Sequence, residues 1–191
     1  MTPAEQARAD LEALASLAGQ VAARHADDVA RLAARFARTL AQGGTLFFAG
    51  NGGSAADAQH VAAEYVIRYA RRRRALPAVA LTTDTSTLTA AGNDLGFDEV
   101  FARQVEALVR AGDLLVLHTT SGESPNVIRA AEAARAKGAG VVALLGRDGG
   151  RLRALVDDAL VIPAAETARI QELHIAVEHV ICQLVERELG V

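Results

Sequence analysis

Two short stretches of this chain carry side chains able to move protons or hold a metal ion. The first is Asn51-Gly52-Gly53-Ser54-Ala55-Ala56-Asp57-Ala58-Gln59-His60-Val61-Ala62-Ala63-Glu64. Its His60 and Glu64 are four residues apart, hence on one face of a helix. Such a pair can share a metal ion or act in proton transfer. The second is Gln171-Glu172-Leu173-His174-Ile175-Ala176-Val177-Glu178-His179, two histidines and two glutamates in an otherwise apolar helical pattern. At about 100° per residue, His174 lies about 60° from Gln171, Glu178 about 20° and His179 about 80°. That geometry slightly prefers Gln171 with Glu178. It leaves the choice between His174/Glu178 and His179 open.

Three polar loops surround these stretches. Gly50 to Ser54 follows the apolar run Thr45-Leu46-Phe47-Phe48-Ala49 and opens an alanine-rich segment. Glycines there let the backbone approach a ligand, and a helix N-terminus turns its amides toward an anion. The second loop is Thr82-Thr83-Asp84-Thr85-Ser86-Thr87. The third is Thr119-Thr120-Ser121-Gly122-Glu123-Ser124, with Ser124 as helix cap and Pro125 as first helical residue. Hydroxyls and a glycine before a helix make a phosphate site without lysine, and three such loops on one edge point to a phosphorylated ligand. No Gly-Lys-Ser/Thr closes a P-loop, and Gly50-Asn51-Gly52-Gly53 lacks the third glycine of a dinucleotide fingerprint. Glu123 opposes an anion in this loop unless it faces solvent or pairs with an arginine.

The elements that must position these groups alternate along the chain. Short apolar runs predict strands at 45–49, 77–82, 113–118, 140–145 and 158–162. Helical patterns fall at 54–69, 97–110, 125–137, near 150–155 and at 166–189. The alternation predicts an α/β fold: a five-stranded parallel sheet with helices on both faces and ligands at the carboxyl ends of its strands. Ahead of it, Thr2-Pro3 caps a helix running to about Arg24. His25 or Asp27 breaks the pattern, and a second helix with Val29, Leu32, Phe36 and Leu40 on one face ends at Gly43-Gly44. These residues, 1–43, read as an N-terminal helical pair packing on the domain and on partner subunits. Residues 1–191 form one domain, without repeat, linker or low-complexity tract.

The formal net charge of −3 argues against binding nucleic acid by counterion release. The single cysteine, Cys182, excludes an internal disulfide and reads as a buried thiol. The N-terminus has no basic and apolar leader pattern, and no apolar run reaches the ~18 residues of a membrane span. The expectation is a soluble cytoplasmic protein.

The chain resembles the bacterial phosphoheptose isomerases of the sugar isomerase (SIS) fold family. The resemblance rests on Ala49 to His60, Leu76-Pro77-Ala78-Val79-Ala80-Leu81-Thr82-Thr83-Asp84-Thr85-Ser86 and Gly92-Asn93-Asp94. It continues through Phe101 to Leu108, Thr120-Ser121-Gly122 and Thr167-Ala168-Arg169-Ile170-Gln171-Glu172, in family order over nearly the whole chain. It implies a SIS fold and an isomerase converting sedoheptulose 7-phosphate to an aldose heptose 7-phosphate. It also implies one zinc ion per subunit on His60, Glu64, Gln171 and His179, with Glu64 and His179 as the acid/base pair. Asn51, Gly52, Gly53, Ser54, Arg68, Asn93, Asp94 and Gln171 would contact the sugar, and Thr119, Thr120, Ser121 and Ser124 the phosphate. The assembly implied is a homotetramer with sites at subunit interfaces.

The chemistry agrees with that implication. Ketose–aldose isomerisation needs a base, a proton relay between neighbouring oxygens, and a cation or donor for the developing oxyanion. A Glu, a His and a zinc ion supply all three, although a carboxylate bound tightly to zinc is a weaker base. The chain departs from the family at Thr119, His118, Glu123 and Ala168. His118 reads as a satisfied histidine at a strand end, against a third titrating group beside the phosphate. Arg71-Arg72-Arg73-Arg74 reads either as a solvated helix end or as a positive rim that steers a phosphosugar. A non-catalytic alternative also exists, a SIS adaptor that binds the bacterial replication initiator. It shares Gln59-His60 and Ala168 to Glu172 but resembles the chain less at Glu64 and His179. Retention of both here favours an enzyme.

Overall fold

A single 39-residue helix, α1 (Pro3–Ala41), leads the chain, where sequence reading expects a helical pair. The structure, a computed structural model, describes residues 1–191. No break occurs at His25 or Asp27. The polar residues there bond along the helix instead: His25 Nδ1 lies 2.8 Å from Asp28 Oδ2, and Arg31 Nη1 donates to Asp28 Oδ1 at 2.8 Å. With no Gly or Pro between Val21 and Ala41, such i,i+3 pairs extend a helix rather than end it. The expected start is correct. Thr2 and Glu5 form a capping box around Pro3.

After α1 the chain alternates as expected. The strands are β1 (Leu46–Gly50), β2 (Ala78–Ala80), β3 (Leu114–Thr119), β4 (Gly140–Gly146) and β5 (Asp158–Ile162). The helices are α2 (Gly53–Val66), α3 (Thr85–Asp94), α4 (Ala102–Leu108), α5 (Pro125–Ala136) and α6 (Thr167–Glu188), with 3-10 turns at Phe97–Glu99 and Arg151–Ala154. The pattern at 97–110 is therefore a turn followed by a short helix. α3 occupies residues whose Thr/Ser composition reads as loop. Asp84 caps it, accepting from Thr87 N at 3.0 Å, which supplies the start signal that the hydroxyl run obscures.

All five strands are parallel, in the order β2-β1-β3-β4-β5. Alternate strand residues face opposite layers. Phe48, Val116 and Leu144 join Phe36, Tyr65 and Ile181 beneath α1, α2 and α6. Phe47, Leu115 and Ala143 join Val105, Ile128 and Leu152 beneath the other helices. Three rings centre the first layer: Phe36 meets Phe48 edge-on at 6.3 Å, and Phe48 stacks on Tyr65 at 5.9 Å. Cys182 is buried in this layer, and burial pushes its thiol pKa up, as expected of an inert thiol. No helix is long and apolar enough to cross a membrane.

Phe36 is fully enclosed and ties α1 to the sheet. Phe36→Ala is expected to cost about 3–5 kcal/mol, read as a lowered midpoint in urea denaturation.

Candidate active site

The strand order reverses at β1: the chain steps first to β2 on one side, then to β3 on the other. The crevice left at the carboxyl ends of such a pair is where parallel sheets bind ligands. Register puts Gly50 opposite His118, so both strands deliver their loops to one place. The resulting cavity of about 240 Å³ is lined by Asn51, Gly52, Gly53, Ser54, Thr119, Thr120, Ser121, Ser124 and Gln171, all expected site residues, together with His118 and Thr167. No lining residue is a lysine or arginine. Its positive character comes from backbone: α2 starts at Gly53, α5 at Pro125 and α6 at Thr167. Three helix N-termini facing one space favour an anion.

Hydroxyls differ in how free they are. Thr119 Oγ1 accepts from Gly122 N at 3.2 Å, and Ser121 Oγ accepts from Glu123 N at 3.2 Å. Both keep a proton to donate. Ser124 precedes α5 but makes no side-chain cap bond, so its hydroxyl is available to a ligand. Glu123 is exposed, the first of its two expected alternatives. Its Oε1 accepts from the backbone of Arg151 at 2.7 Å. Asn51 is held by Asn126: each amide donates to the other's oxygen at 2.8 Å. Asn126 is buried at the start of α5 and was invisible as a site residue in sequence, since a lone Asn after Pro125 carries no signal of its partner.

The second hydroxyl loop does not join this cavity. Thr83 Oγ1 donates to Ala80 O at 3.1 Å, Asp84 caps α3, and Thr82 Oγ1 donates to Ala55 O at 3.3 Å. Thr82 braces α2 and Asp84 caps α3, so in a single chain two loops, not three, line this cavity. Arg68 is exposed beyond α2, and Asn93 and Asp94 are exposed at the end of α3, bonded to each other at 2.7 Å. None of the three lines the cavity of a single chain.

The proton-transfer candidates meet on the neighbouring surface, where α2 packs on α6. His60, Glu64 and His179 each bring a ligand atom within 4.8 Å of the others. His60 Nε2 lies 2.9 Å from His179 Nε2 and 3.5 Å from Glu64 Oε1. Two imidazole nitrogens this close share a proton or face a common cation. Two imidazoles and a carboxylate are a donor set suited to a divalent metal such as zinc. Tyr69 stacks on His179, ring centroids 5.5 Å apart.

The structure resolves the helical choice that spacing leaves open. His179 reaches His60, whereas His174 and Glu178 turn into the core. His174 Nε2 donates to Leu145 O at 3.0 Å, and burial pushes its pKa down to about 3. Glu178 Oε1 lies 2.8 Å from His118 Nε2, both side chains fully buried. The reading of His118 as a satisfied strand-end histidine fits at Nε2, although Nδ1 has no partner. Gln171 packs against Gly53 at the cavity wall: a Cβ on Gly53 would sit 2.6 Å from Gln171 Oε1.

Two substitutions separate the roles of the glycines. Gly53→Ala pushes aside the end of a flexible side chain, so its expected effect is loss of activity with little change in melting temperature. Gly50→Ala meets backbone, with His118 O and Ser54 O each at 2.8 Å, and is expected to lower soluble yield and melting temperature. His174 gives a pH dependence. The unfolded chain titrates this group near pH 6.5 and the folded chain near 3, so between them the unfolded state binds more protons and stability is lost as the pH is lowered. Unfolding free energies from urea denaturation should be lower at pH 5.5 than at pH 7 by on the order of 1 kcal/mol from this residue, and His174→Gln should flatten that part of the slope.

Comparison with known proteins agrees with this geometry. A family model described as SIS domain matches residues 11–146. A phosphoheptose isomerase of Pelobacter propionicus is 55% identical over 161 residues, 84% of this chain and 85% of the relative. That of Geobacter sulfurreducens is 53% identical over 184 residues, 96% of this chain and 95% of the relative. The structure of phosphoheptose isomerase from Neisseria gonorrhoeae superposes with TM-score 0.91 at 44% identity, covering 97% of this chain and all of the other. Full-length similarity of this kind spans the sheet, both cavity loops and the α2–α6 contact together, and this chain therefore belongs to the SIS-domain family, among its phosphoheptose isomerases.

Proposed function

We propose that this protein isomerises sedoheptulose 7-phosphate to D-glycero-D-manno-heptose 7-phosphate. The observation that carries the reading is the meeting of Glu64 and His179 beside an anion cavity built from helix N-termini and free hydroxyls. The phosphate binds Thr119, Thr120, Ser121 and Ser124. The sugar chain runs from there past Gly52, Gly53 and Gln171 toward α2. Glu64 removes the proton from the carbon beside the carbonyl, giving an enediol, and the proton returns to the neighbouring carbon. His179 carries protons between the two oxygens. The relatives at 53–55% identity bear the isomerase name, which supports this reading over the adaptor alternative.

His60, Glu64 and His179 would hold one zinc ion per subunit, with Gln171 as fourth donor. A zinc ion bound there would supply a positive charge to offset the negative charge that develops on the substrate oxygen. Gln171 sits against Gly53 and lines the cavity, and as fourth donor its amide would serve metal and sugar alike. Arg68, Asn93 and Asp94 reach a site only in an assembly, which is consistent with a homotetramer whose subunits share sites. A cytoplasmic location suits a sugar-phosphate substrate.

Glu64→Gln keeps the shape of the side chain and removes its basicity. Its expected effect is a fall in kcat of about 10²–10⁴-fold with an unchanged circular dichroism spectrum, measured by coupled detection of the aldose. A Gln variant that turns over within tenfold of the parent sinks the role assigned to Glu64.

A further inference from the structure

The four-arginine run ending at Arg74 fits neither a solvated helix end nor a steering rim at one of its members. Arg73 is buried, its side chain 1% exposed, and pairs with Glu186 of α6, 3% exposed, at 2.9 Å. The rest of its guanidinium turns to the end of α2. Nη2 donates to Glu64 O at 2.7 Å, and Nη1 donates to Tyr65 O at 2.8 Å and to Arg74 O at 2.9 Å. Glu64 and Tyr65 lie in the last turn of α2, where carbonyls have no partner within the helix and the dipole favours a cation. Arg73 is thus the C-terminal cap of the helix that bears Glu64.

Glu186 does the complementary task. Its two oxygens accept the backbone amides of Tyr69, Ala70 and Arg71 at 3.1, 3.2 and 3.0 Å. These three donors and the guanidinium hold its carboxyl pKa down, against the opposing effect of burial. The loop after α2 is thereby wrapped around one carboxylate, and its first anchored residue, Tyr69, is the ring stacked on His179. Glu186 stands seven residues beyond His179, two helical turns along the same face of α6. A buried pair of this kind adds little stability compared with apolar packing, so its value lies in the geometry it fixes.

We infer that the Arg73–Glu186 ion pair is a positioning device for the proton-transfer pair. It caps α2 directly behind Glu64 and holds Tyr69 against His179, so one buried contact sets the placement of both groups. This rests on the reading of Glu64 and His179 as the acid/base pair. Neither Arg73 nor Glu186 touches the substrate cavity; both act through residues that they hold.

The test uses Arg73→Lys, which keeps the charge and loses the fork, and Tyr69→Leu, which leaves the ion pair intact. Both are compared with the parent and with Glu64→Gln for kcat and KM on sedoheptulose 7-phosphate, for inhibition by inorganic phosphate, and for Zn2+ affinity by chelator competition. Misplacing a reacting group by about 1 Å costs on the order of 10²-fold in rate. Each folded variant is therefore expected to lose at least about tenfold in kcat and severalfold in zinc affinity. Phosphate inhibition should stay within about twofold of the parent, since the phosphate loop follows β3 and is built independently. Parental kcat and zinc affinity in either folded variant overturns the inference, as does a loss of phosphate affinity that parallels the loss of kcat. If Arg73→Lys does not fold, Tyr69→Leu decides alone. An active Glu64→Gln instead removes the underlying role assignment, and the zinc titration still reports whether the ion pair shapes the trio.

Discussion

The site depends on how closely β1 and β3 approach at their carboxyl ends. Gly50 has His118 O and Ser54 O where a Cβ would stand, each 2.8 Å away. Because no side chain intervenes, the chain turns at once into α2 beginning at Gly53. The same contact brings the loop after β3 beside the loop after β1, and their hydroxyls and amides line one cavity. A wider turn would separate the N-termini of α2 and α5. The anion site would then lose the sum of dipoles that replaces the missing lysine. Starting α2 that early also fixes where His60 and Glu64 emerge along the helix, and hence which residues of α6 they can meet.

Much of this was legible because it is local. Five apolar runs became five strands, and Gly-rich or Ser/Pro turns placed the helix starts next to them. The two loops of the anion site could be named from glycine and hydroxyl content alone. What failed to show was mostly long-range. The hydroxyls at Thr82–Thr87 have the same composition as a phosphate loop, yet they cap α3 and brace α2, because β2 lies on the far side of β1 from the cavity. Composition does not record strand order. The unbroken α1 was missed for the opposite reason: His25 and Asp27 look like breakers singly, and His25 becomes a support only once its ring is seen to bond Asp28. Arg73 was hidden among three other arginines that remain exposed, since charge runs give no hint of which member finds a buried partner.

Spacing along α6 was least decisive, and the structure explains why. Glu178 and His179 are adjacent, about 100° apart around the helix, and both are used. Glu178 faces the sheet and engages His118 of β3 inside the core. His179 faces α2 and engages His60. One turn earlier, His174 donates to the carbonyl of Leu145 on β4. These two inward polar contacts fix the rotation of α6 about its axis. An apolar seam alone tolerates small rotations, because dispersion contacts have little directionality. Hydrogen bonds at about 3 Å do not.

The cost of burying His118 and Glu178 together is therefore understandable without any gain in stability. Desolvation of such a pair roughly cancels its attraction, and one nitrogen of His118 and one oxygen of Glu178 stay unpartnered. The return is directional. A helix held by His174 and Glu178 on its inner face must present His179 and Glu186 on the face toward α2. Those are the residues that meet His60 and anchor the loop bearing Tyr69. The polar residues that looked excessive in an apolar helix thus divide into an inner set that sets the angle of α6 and an outer set that uses it.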